Sequence, residues 1–121
     1  MIRLFSMESG DLQMKVIQYY KLVRDSIPEI IEASGNEYDI EILSDEEYLK
    51  MVDAKLDEEL AEYHKDHNIE ELADLVEVIY AAVIARGYTL DELEACRAEK
   101  VKKRGAFKKK ILLKSVRENE E

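Results

Sequence analysis

From Ser44 to Gly105 the apolar positions return at helical intervals. Between Asp45 and Lys65, Leu49, Val52, Leu56, Leu60 and Tyr63 fall on one stripe at about 100° per residue. Three capping boxes punctuate the region: Ser44 with Glu47, Asn68 with Glu71, and Thr89 with Glu92. They predict helices from Ser44 to about Lys65, from Asn68 to near Arg86 with Gly87 as the stop, and from Thr89 to near Arg104 with Gly105 after it. The connections are very short, so consecutive helices are antiparallel neighbours. Ahead of them, Pro28 suits the first turn of a short helix that runs through Ser34 and stops at Gly35. Tyr38, Ile40 and Ile42 then alternate with Glu37, Asp39 and Glu41, a brief strand-like or extended segment.

Residues 1–18 have no clear periodicity and are read as an appendage, with Met7 and Met14 as possible alternative starts. Residues 19–113 form the expected domain. Within it, Phe107 to Leu113 is a further apolar patch, and 114–121 is a charged, frayed tail. The expected fold class is an all-α antiparallel bundle.

The stretch from Leu72 to Ala85 departs from ordinary amphipathic patterning. It is apolar almost all round, and its charges are Asp74 and Glu77. Such a helix is normally central in its fold. Glu71 and Asp74 project about 60° apart, and their shared face is otherwise Val78, Ala81, Ala82 and Ala85, small enough to admit another helix closely. Carboxylates on such a face are costly unless paired or metal-bound. On the preceding helix Glu59 lies at the edge of the apolar stripe, Glu62 one turn further along the same flank, and Glu58 further round. Glu59 and Glu62, like Glu71 and Asp74, are three residues apart and so occupy neighbouring turns of one face. If the two helices pack antiparallel, the four carboxylates converge near the connecting turn. Hard oxygen donors in that number suit Mg²⁺ or Mn²⁺, whose natural partners are phosphate oxygens. Acid pairs at this spacing also occur on solvated helix faces, and Glu71 has a capping role of its own, so both readings stand at this point. Neither His64 nor His67 has an acid three residues before it, which argues against a ferritin-like di-iron centre.

Composition narrows the partners. The chain has 18 basic against 28 acidic residues, a net charge of −10. That surface repels DNA and RNA polymers, and it admits a small phosphorylated ligand where divalent metal neutralises the acids. The single cysteine, Cys96, excludes an internal disulfide and a cysteine zinc site and fits a reducing compartment. No apolar run approaches the ~20 residues of a membrane span. The first ten residues do not read as a signal peptide. The expected location is the cytoplasm, with no membrane partner.

These residues resemble a known signature. Glu58, Glu59 and Glu62, followed by Glu71 and Asp74, look like the acid motif of the MazG-like all-α nucleoside triphosphate pyrophosphohydrolases. Lys21-Leu22-Val23-Arg24-Asp25 with Ile27-Pro28-Glu29-Ile30-Ile31, and Lys103-Arg104-Gly105 with Phe107, resemble the short phosphoribosyl-ATP pyrophosphohydrolase-like branch. Tyr20 stands where that branch often has asparagine, and Ala106 where a second glycine is common.

The resemblance implies a MazG-like bundle, homodimeric or homotetrameric, with Glu59, Glu62, Glu71 and Asp74 holding Mg²⁺ (Mn²⁺ as a substitute). Glu58 would orient or deprotonate the attacking water, and Lys21, Arg24, Lys103 and Arg104 would clamp phosphates. It implies hydrolysis of a nucleoside triphosphate to monophosphate and pyrophosphate, in a house-cleaning role against non-canonical nucleotides. Phosphoribosyl-ATP hydrolysis and a non-catalytic nucleotide-binding or sensing module are the alternatives. Lys103 and Arg104 equally suit the last turn of a helix, and Arg24 with Asp25 a surface pair. Tyr63, Tyr80 and Phe107 are expected in the core.

Overall fold

The computed structural model describes residues 15–120; most of the expected appendage, including both early methionines, lies outside them. The described residues are all-helical, with four helices and no strand: α1 (Ile27–Ala33), α2 (Asp45–Asp66), α3 (Ile69–Ala85) and α4 (Leu90–Arg104). None is long and apolar enough to cross a membrane. The chain divides after Gly87 into two compact units, α1–α3 and α4 with the C-terminal residues.

Each long helix begins where its capping box predicts. The Ser44 hydroxyl accepts the Glu47 amide at 3.2 Å, Asn68 Oδ1 accepts the Glu71 amide at 2.9 Å, and the Thr89 hydroxyl accepts the Glu92 amide at 3.1 Å. Each satisfies an amide that the helix geometry would otherwise leave orphaned. α2 ends at His67, a non-glycine residue in the left-handed region at φ 51°, whose amide closes on the Tyr63 carbonyl at 2.8 Å. With His67 and Asn68 alone between α2 and α3, the chain reverses at once. The two helices pack along each other, and an Arg86–Asp53 ion pair of 3.1 Å links their far portions.

The seam has the composition expected except at Leu60, which is 43% exposed. Val52 is 1% exposed, with Leu49, Leu56 and Tyr63 half-buried on α2. Across it, Glu71, Asp74, Val78, Ala81, Ala82 and Ala85 are half-buried on α3, so the small-residue face is the one turned towards α2. Three expectations need correction. α3 is not enclosed: it has no buried residue, and Leu72, Val76, Ile79, Tyr80 and Ile84 are exposed, because within its own unit a single long helix packs along it. Tyr80 and Phe107 are likewise in solvent, Phe107 completely. Tyr38 to Ile42 forms no strand, because no other segment of the described chain offers it a ladder of hydrogen bonds.

The second unit is α4 and an irregular tail. Thr89 starts the helix, an Arg97–Glu94 pair braces its exposed face, and the Gly105 amide closes it on the Val101 carbonyl at 2.8 Å with φ at 82°.

Candidate metal centre

The α2–α3 turn gathers acids from both helices. Oxygens of Glu59, Glu71 and Asp74 lie within 4.8 Å of one another, and so do oxygens of Glu62, Asp66 and Glu71. The four carboxylates read from the sequence are therefore divided between two triads that share Glu71. Asp66 is a member the sequence reading missed. Its signal was available: it follows Glu62 by four residues on one helix face and is the last residue before the turn.

The electrostatics fit a cation site. The Glu71 carboxyl is pushed above the ordinary range by partial burial and by repulsion from Asp74, Asp66, Glu62 and Glu59. Mg²⁺ binds oxygens at about 2.1 Å, which places two ligands of one ion at most ~4.2 Å apart. Triads already within 4.8 Å need small side-chain adjustments to reach that geometry.

Cations border the acids. Arg24 Nη2 donates to Asp74 Oδ1 at 2.7 Å, so its partner is this acid on α3 and not the adjacent Asp25. Lys21 Nζ donates to Glu58 Oε1 at 3.1 Å. Lys55, which the sequence reading also missed, reaches Glu58 at 3.3 Å and Glu59 at 3.6 Å from one turn before them on α2. Glu58 thus stands apart from the triads, between two lysines. Partial burial pushes its carboxyl up, but the Lys21 and Lys55 hydrogen bonds and charges outweigh that and hold it below the ordinary range. The same bond and the Glu58 charge raise the Lys21 ammonium. Tyr20, Lys21, Leu22, Met51, Ala54, Lys55 and Glu58 line an open cleft of about 260 Å³, apolar on its walls and charged at its rim.

Lys103 and Arg104 belong to the other unit. They lie in the last turn of α4, and Lys103 pairs with Glu99 at 3.3 Å, the placement that complements the helix dipole.

No family model matches the chain, and no solved structure does. An uncharacterized protein of Mycolicibacterium smegmatis is 62% identical over 42 residues, which cover 35% of this chain and 43% of that relative. That relative assigns no activity to this chain.

Proposed function

We propose that the chain is a Mg²⁺-dependent pyrophosphohydrolase of the MazG-like kind, cleaving nucleoside triphosphates at the α-phosphorus and clearing non-canonical nucleotides. The observation that carries the reading is the two carboxylate triads sharing Glu71, bordered by Lys21, Arg24 and Lys55. Acids alone would repel a triphosphate. Acids that hold divalent cations, with ammonium and guanidinium groups at their edge, would attract one.

Glu59, Glu71 and Asp74, and Glu62, Asp66 and Glu71, are the residues to hold Mg²⁺, which supplies Lewis-acid stabilisation of charge on the phosphoryl oxygens. Arg24 and Lys21 turn from Asp74 and Glu58 to the polyphosphate. Losing Lys21 leaves Glu58 with one cation instead of two and makes its carboxylate a better acceptor for the proton of an attacking water. A P–O bond forms from that water to the α-phosphorus, the bond to the bridging oxygen breaks, and pyrophosphate leaves. The cleft lined by Tyr20, Leu22 and Met51 gives the nucleoside an apolar wall beside Glu58. The chain acts as a homodimer or homotetramer, with a second copy covering the exposed apolar side of α3.

A non-catalytic nucleotide sensor is the second reading. What favours it is the pair of lysines on Glu58, which lowers its basicity. The test is pyrophosphate release from canonical and modified triphosphates and phosphoribosyl-ATP, with Mg²⁺ and with EDTA. Metal-dependent pyrophosphate release, lost in Glu59→Gln with substrate binding kept, supports the enzyme. Binding without release by the unaltered chain supports the sensor.

A further inference from the structure

Residues 15–24 meet both long helices of the first unit without belonging to either. Among the described residues, no backbone–backbone hydrogen bond involves residues 15–23; the first is the Arg24 carbonyl accepting the Ile27 amide at 3.1 Å. The segment is attached through side chains. Ile17, Tyr19 and Leu22 are half-buried, and Leu22 shares a cleft with Met51 and Ala54 of α2. Two cations three residues apart then reach different helices: Lys21 Nζ donates to Glu58 on α2 at 3.1 Å, and Arg24 Nη2 donates to Asp74 on α3 at 2.7 Å.

Such an attachment is weak by construction. Both ion pairs are largely solvated, so each holds little. Tyr20, directly before Lys21, sits in the left-handed region at φ 48°, and this strain opposes the hold. The two acids differ in what else they touch. Glu58 lies outside both carboxylate triads, whereas Asp74 belongs to the triad with Glu59 and Glu71. A divalent cation on Asp74 would set a like charge against the guanidinium, while the Lys21–Glu58 pair is left in place.

We propose that residues 15–24 are a strap fastened to the α2–α3 acids by Arg24, and that a divalent cation binding at Asp74 releases its Arg24 end. The proposal rests on the reading of those acids as a Mg²⁺ site. Arg24 is then the internal counter-ion of Asp74, and the site is self-neutralised until metal arrives. The fastened form binds metal less well, because the guanidinium competes for the same carboxylate; metal therefore shifts the population towards the released form. By reciprocity, release raises metal affinity by the same factor. The order of events follows: metal binds first, and Arg24 becomes available to an anion afterwards.

Limited trypsin digestion of the full chain, with the cut bonds assigned by mass spectrometry, tests this. Cleavage after Arg24 should be about two- to fivefold faster in Mg²⁺ than in EDTA at equal ionic strength, since a solvated ion pair withholds no more than that. Cleavage after Lys114, in the other unit, should not change. Asp74→Asn, with its helix content checked by circular dichroism, should be cut after Arg24 at the fast rate in EDTA and show no further response to Mg²⁺. Calorimetric titration of the unaltered chain with MgCl₂ separates the two ideas. Mg²⁺ binding with unchanged or slower cleavage after Arg24 overturns the strap and leaves the metal reading standing. A folded Asp74→Asn chain cut at the slow rate also overturns the strap, because Asp74 then does not fasten it. Absence of Mg²⁺ binding overturns both.

Discussion

Arg24 and Asp74 are 50 residues apart in sequence and 2.7 Å apart in the fold. If Asp74 holds a cation and Arg24 a phosphate as proposed, the two occupancies are linked: a cation on Asp74 would compete with the guanidinium and free Arg24 for an anion. Both side chains are largely solvated, at 59% and 40% exposure, so the pair itself contributes at most about 1 kcal/mol to stability.

Arg24→Ala therefore should bind Mg²⁺ more tightly while losing less than about 1 kcal/mol of folding free energy. Calorimetric titration gives the first quantity and urea unfolding the second. If the pyrophosphohydrolase reading holds, the same variant has a raised KM. Weaker Mg²⁺ binding in Arg24→Ala would place the guanidinium in support of the site and not in competition with it.

Glu71 is common to both triads, and Glu71→Gln is expected to abolish the thermal stabilisation by Mg²⁺, where loss of a single-triad member such as Asp66 reduces it. The pH dependence has a definite sign. The folded carboxyl titrates above its ordinary value, because of partial burial and the neighbouring acids. Its contribution to stability is therefore greatest below the ordinary carboxylate range and is lost as pH rises through the folded value. With Mg²⁺ bound the trend should weaken or reverse, since the metal takes the ionised form. Melting curves from mildly acidic to neutral pH, with Mg²⁺ and with EDTA, separate the two behaviours.

Glu58 carries the opposite sign. Its carboxyl is held low in the fold despite partial burial, so the stabilisation from Lys21 and Lys55 is complete above the ordinary carboxylate range and is lost as pH falls through the folded value. Replacing Lys55 by Met keeps the stem and removes the charge from both Glu58 and Glu59. The expected cost is about 1 kcal/mol. In an active enzyme the acid limb of the pH–rate profile moves upward, because Glu58 protonates more readily. An unmoved limb would remove Glu58 as the proton acceptor.

The helices could be read from sequence because their causes are local. Ser44, Asn68 and Thr89 each bond an amide three residues on, and nothing distant is needed to place them. The α2–α3 seam was legible for a related reason: a two-residue turn fixes the direction of approach, so periodicity alone brings Glu59 and Asp74 together. Lys55 was missed although it stands three residues before Glu58, because a lysine on a charged helix reads as solvated surface until its acids are known to be half-buried. The tertiary partners of Lys21 and Arg24 were not legible, since they depend on an irregular segment crossing α2 and α3. Nor was the exposure of α3, since an apolar pattern does not say which surface, if any, covers the helix.

Tyr20 precedes Lys21 with φ at 48°, in the left-handed region, with its side chain 87% exposed. A bulky residue there is strained, whereas asparagine enters that region readily and loses little burial at so open a site. Tyr20→Asn should stabilise the fold by about 0.5–1 kcal/mol, read from the urea midpoint, and leave the Lys21–Glu58 pair in place. Destabilisation would mean that the ring makes contacts in the assembled protein that outweigh its backbone strain.

The outer side of α3 sets the last test. Leu72, Val76, Ile79 and Ile84 lie in solvent, while Val52 is the one fully buried side chain among the described residues. A single buried valine supplies little of the apolar burial that a domain of this size needs, and the proposed homo-oligomer would cover this face of α3. Val76→Lys, alone and with Ile84→Glu, is expected to convert a dimer or tetramer to monomer by light scattering. The same variants should unfold at lower urea concentration, with a midpoint independent of protein concentration, whereas the midpoint of the unaltered chain rises with concentration. An unaltered chain that is monomeric and cooperatively folded would exclude α3 as an interface.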